Sequence, residues 1–246
     1  MTYLNLKLIS IPIAVNTGTQ TEVFRLPDKP ALFENQIHRL EASKSQFSRV
    51  VTDFLAEKSQ LIQDTIDDAH GGGKLVVYGS CPISSFGAEH MDTFRDISHF
   101  VQSQVAEHFG SEQIHYLNPS DYQHFDDAIK GMFLSEDIAS KGMSENKFIG
   151  ECYMIIWRTL LLKPGNFQIA NFLSNENVRS YFSAQGKPNV SAPFHRASFV
   201  RSRGSTQEWN SFLAVNSQLG FQDRVSFYSN CKEIPNPRPI KESDYS

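Results

Sequence analysis

The sequence predicts an α/β fold: a mostly parallel sheet with helices on both faces, preceded by a β-hairpin and a long helix. Two observations carry this. Short apolar runs alternate with longer stretches of helical period from residue 74 onward, which implies crossover helices and parallel strands. The bulk composition is that of an ordinary globular protein: 246 residues, 40% hydrophobic and 20% charged. A chain of this size buries a full core without staples.

The elements follow in order. Residues 3–15 and 21–26 are apolar and β-branched, and Asn16-Thr17-Gly18-Thr19 between them suits a hairpin turn. The run Leu8–Val15 is too short to span a bilayer. It contains Pro12 and lacks an A-x-A site, so a first strand is expected there rather than a secretory signal. Pro27 and Pro30 then break the chain.

From Ala31 to Ala69, Phe33, Ile37, Leu40, Phe47, Val51, Phe54, Leu61, Ile62 and Ile66 recur mostly three and four apart. This predicts one long helix, ended by Gly71-Gly72-Gly73. Two helices with a kink near Ser43–Ser45 is the alternative. An unbroken helix could pair with a second copy, so a homo-oligomer through it is one expectation.

Strands are expected at 74–79, 113–117, 166–173 and 224–229. "FHRASFVRS" (194–202) reads as a strand or extended segment. Helices are expected at 86–109, 121–141, 144–162 and 174–182, and in a segment capped by Thr206 and ended by Gly220. The tail from 231 to 246, with its three prolines, reads as irregular. The parts are 1–70, 71–230 and 231–246, in one structural domain.

Several function classes drop out. The net charge of −4 gives no reason to expect nucleic-acid binding. Cys81, Cys152 and Cys231 make no CxxC pair, which argues against a disulfide framework and for a reducing, cytoplasmic setting. No motif names a cofactor, and neither GxGxxG nor GxxxxGK[ST] occurs.

Ligands of such sheets sit at the carboxyl ends of strands, near a topological switch point. "VVYGSCPISSFG" places Gly79, Ser80, Ser84 and Ser85 there, ahead of a helix. Backbone N–H groups and serine hydroxyls suit an anion, often a phosphate. "FHRASFVRSRGSTQEW" adds His195, Arg201 and Arg203 before a second helix start, a clamp for the same anionic small molecule. Glu151, inside the apolar "FIGECYMIIW", and Glu89, in "GAEHMD", are the candidate acid, base or nucleophile. Glu151 pairing with a cation is the plainer alternative.

Cys81 at a helix start could be a nucleophile with His90 or His115 as its base, giving a cysteine hydrolase as a third reading. Asp121 and His124 lie one turn apart and could face one divalent ion, although an acid-rich helix start has the same composition.

"VVYGSCP" and "IHYLNPSDY", within Lys74–Tyr122, resemble the first β-α-β unit of the nucleoside 2-deoxyribosyltransferase-like superfamily. That family carries its catalytic Glu in a D-S-G-T-x-x-E type stretch. No such stretch occurs here, and Glu151 in "GECYM" is the nearest substitute. The resemblance implies a Rossmann-like half-fold more than an activity. The expected function is an enzyme acting by transfer or hydrolysis on a phosphorylated or nucleotide-like small molecule. The alternative is a non-enzymatic interaction protein working through the 31–69 helix.

Overall fold

A computed structural model describes residues 29–82, 88–187, 189–190, 194 and 197–240. The expected hairpin at 3–26 lies outside the described residues.

The 31–69 periodicity resolves into two helices, the alternative expected from a kink near Ser43–Ser45, rather than one long helix: α1 (Lys29–Lys44) and α2 (Arg49–Gly71). The break is made by Ser48, which is extended (φ −65°, ψ 164°) and accepts a hydrogen bond from Val51 N at 3.4 Å. A serine in this position caps a new helix and releases the previous one. The apolar spacing runs across the break, so period alone could not reveal it. The stripe Val51, Leu55, Ile62, Ile66 and Ala69 is buried in the chain's own core. There α2 packs on α5, and α1 packs on α5 and α7.

Strand β1 (Leu75–Ser80) is followed by α3 (Met91–Phe109) and β2 (Ile114–Leu117). A 3-10 stretch (Pro119–Phe125) opened by the Asn118 side chain leads into α4 (Asp126–Ser135), and α5 spans Glu145–Leu161. Next come β3 (Ile169–Phe172), α6 (Asn175–Ala184), α7 (Arg203–Asn216), β4 (Ser226–Ser229) and β5 (Lys232–Glu233). The fold is α/β, with a five-stranded sheet in the order β2-β1-β3-β4-β5. The first four strands are parallel and β5 is antiparallel to β4.

Side-chain alternation along the strands builds two cores. Val76, Tyr78, Ala170, Phe172 and Phe227 face α1, α2, α4, α5 and α7. Val77, Ile114 and Ile169 face α3 and α6. Strands buried on both faces read as continuous apolar runs, which is why they stood out in the sequence.

Two stretches depart from expectation. Among the described residues, 194–202 contains no strand: Phe199–Arg201 is a 3-10 turn held by Phe199 N donating to Leu173 O at 2.9 Å. The segment from 231 is not wholly irregular. Asn230 and Cys231 (φ 50° and 57°) turn the chain back into β5. Further on, Trp209 Nε1 donates to Arg238 O at 2.7 Å, and the Asn210 side chain pairs with the backbone of Ile240. No described helix is long and apolar enough to cross a membrane.

Candidate functional site

The chain leaves β1 for β2 on one side and then crosses to β3 on the other. The direction of strand addition reverses there, so the crevice at the carboxyl ends of β1 and β3 is the switch point. The register places Gly79 opposite Asn171 and Ser80 opposite Phe172 at that edge.

On the α7 side, Ser80 Oγ donates to Glu208 Oε2 at 2.6 Å. Both residues are buried. Glu208 projects from the second turn of α7, whose start is fixed by Ser202: its side chain accepts from Ser205 N at 3.2 Å. Ser202, not Thr206, is therefore the cap. Burial raises the Glu208 carboxyl above the ordinary value of 4.5, against a smaller opposing pull from the Ser80 hydroxyl. The Tyr78 hydroxyl lies near the same carboxylate but outside hydrogen-bonding geometry. Its ring is boxed by Trp157, Phe167 and Phe212 at centroid distances of 5.5–5.7 Å. A carboxyl biased toward its protonated form in these surroundings suits proton transfer.

On the opposite face, Gly79 is covered by the end of the Tyr116 ring. A Cβ at this position would collide with that ring, so the glycine is required by close approach. Gly79→Ala is expected to destabilise the fold by about 1–3 kcal/mol through overpacking, readable as a lower urea midpoint. An unchanged midpoint would mean that Tyr116 moves aside freely. Nearby, Ser98 Oγ and Ser120 both donate to Asn118 Oδ1, and Asn118 Nδ2 donates to Gln102 Oε1.

The residues singled out from sequence fare unevenly. Ser84, Ser85 and His195 lie outside the described residues. Gly79 and Ser80 do line the switch point, but the Ser80 hydroxyl is engaged by Glu208. Glu151 sits at the edge of its helix, with Oε1 4.0 Å from Arg203 Nη2, the plainer of the two readings. Arg203 opens α7 and Arg201 closes the 3-10 turn, both exposed, so the two do not lie on the extended segment expected there. Glu89 is exposed and lies 3.6 Å from His90 Nε2.

Cys81 is held neutral: burial pushes its thiol up, and Sγ donates to Phe94 O at 3.6 Å. That direction is the reverse of what a nucleophilic cysteine needs. His90 packs edge-on against Phe194. Asp121 faces His99 at 3.4 Å, and His124 Nδ1 meets the Asp121 carbonyl at 2.9 Å. Among the described residues no three His, Cys, Asp or Glu groups gather as metal ligands.

Glu208, Asn171 and Tyr116 were missed by sequence reasoning. Glu208 carried the same signal as Glu151, a carboxylate within an apolar helix, here "TQEWNSF". Comparison of the chain with protein-family models, curated proteins and solved structures gives no match.

Proposed function

We propose that this chain is an enzyme acting by transfer or hydrolysis on a phosphorylated or nucleotide-like small molecule, bound at the carboxyl ends of β1 and β3. The reading is carried by one observation: the buried Glu208 carboxyl held by Ser80 at the switch point. Glu208 replaces Glu151 as the acid/base group. It gives its proton to the leaving group, or takes one from the attacking nucleophile. The free cysteines suit a reducing, cytoplasmic setting.

The first test is thermal denaturation in the presence of nucleotides and sugar phosphates. A specific ligand raises Tm by mass action. At least one is expected to do so in the native protein. No shift with any of them counts against the reading.

A second reading, an interaction protein or homo-oligomer, has one observation in its favour. Val50 and Leu61 stand exposed on α2. A monomer at all concentrations by light scattering removes the homo-oligomer.

A further inference from the structure

Asn171 is 1% exposed, yet neither its amide nitrogen nor its carbonyl oxygen has a hydrogen-bond partner. Buried side-chain amides are almost always paired, because an unmet donor and acceptor destabilise the fold. Asn171 is also one residue short of the carboxyl end of β3, at the switch point. Its register neighbours are Gly79 on β1 and Tyr228 on β4. Strand alternation sends its side chain to the face of Ile169, toward α3 and α6. The Tyr116 hydroxyl, folded over Gly79, approaches the carboxamide without pairing with it.

We propose that Asn171 is the ligand-reading residue of the switch-point site: its carboxamide pairs edge-on with a nucleobase that lies over Gly79 in the space now filled by the end of Tyr116. This rests on the functional reading above and narrows its substrate class. A carboxamide presents a donor and an acceptor side by side in one plane. Its complement must present an acceptor and a donor in the same way. Nucleobase edges do so, as in the pairing of Asn with adenine N6 and N7. A phosphate or carboxylate only accepts, and would leave the Asn171 carbonyl unmet. The floor is a glycine, where a flat group can approach the backbone closely. The unmet amide in the resting protein is then the source of discrimination, since a ligand lacking the matching edge restores nothing.

The test compares thermal denaturation of the native protein and Asn171→Leu. Each is measured alone, with adenosine, guanosine, cytidine and uridine, and with ribose 5-phosphate. Leucine has nearly the shape of asparagine and no polar edge. Asn171→Leu is expected to raise the Tm of the unliganded protein by about 2–4 °C. It should also abolish a shift that at least one nucleoside produces in the native protein. A residue that gains stability and loses binding on one substitution is serving the ligand rather than the fold. An unchanged or lower Tm, or failure of Asn171→Leu to fold, would mean the carboxamide is already satisfied at rest, and overturns the assignment. So does a nucleoside shift that persists in Asn171→Leu. A shift with ribose 5-phosphate but with no nucleoside overturns this inference and leaves the broader function standing. No shift with any probe overturns this inference and counts against the broader function.

Discussion

Glu208→Gln is expected to lower turnover of any substrate found by about 10²–10⁴-fold, the usual contribution of a positioned acid or base. Glutamine keeps the size of the side chain and can still accept from Ser80, so folding is largely preserved. The variant separates proton transfer from architecture. It also has a signature that needs no substrate. Burial raises the Glu208 carboxyl in the folded protein relative to its value of 4.5 in a free chain. The folded state therefore binds the proton more tightly than the unfolded state. The stability tied to this group is fully present below pH 4.5 and falls as pH rises through the raised value. Denaturant midpoints of Glu208→Gln measured against pH should lack that fall while the native protein shows it. Parallel pH profiles would mean that Glu208 is not perturbed. Turnover kept at native level would remove it from the chemistry.

Phe172→Ala is expected to cost about 3–5 kcal/mol, the range for emptying a buried aromatic site. Phe172 is fully buried at the end of β3. Its ring lies parallel to Phe227 (5.8 Å, 11°) and meets Phe199 and Trp209 at 5.1 and 5.0 Å. The same cluster seats α7, which carries Glu208, against the sheet. For a chain of this length the loss corresponds to a fall in Tm of about 6–20 °C. A calorimetric scan decides it: a fall of under about 2 °C would show that the aromatic cluster does not hold α7 in place.

The sheet was largely legible in the sequence, because "LVVYGS" and "IANF" are buried on both faces and carry almost no polar residues. The split between α1 and α2 was legible only as an alternative, two helices with a kink near Ser43–Ser45. No Pro or Gly marks it, and a serine that caps a helix looks like any other serine until its backbone turns extended. The turn into β5 was hidden in the same way: Asn230-Cys231 adopts the left-handed region without the glycine that usually announces it. The strand-end rule found Gly79 and Ser80, since it needs only the order of elements. It could not find their partners. Glu208 lies 128 residues from Ser80 along the chain, and only the packing of α7 on the sheet brings the two together. Arg201 and Arg203 misled for a related reason. They share a face only if the backbone is extended, and Ser202 caps a helix between them.

In the proposed function the carboxyl ends of β1 and β3 hold the ligand. The measurement that tests it most directly is a crystal structure with the nucleotide or sugar phosphate giving the largest thermal shift. Density is expected at these strand ends, within hydrogen-bonding reach of Glu208 or Asn171. Density confined to the surface groove between α3 and α6, lined by Phe100, Gln104 and Arg179, would contradict it.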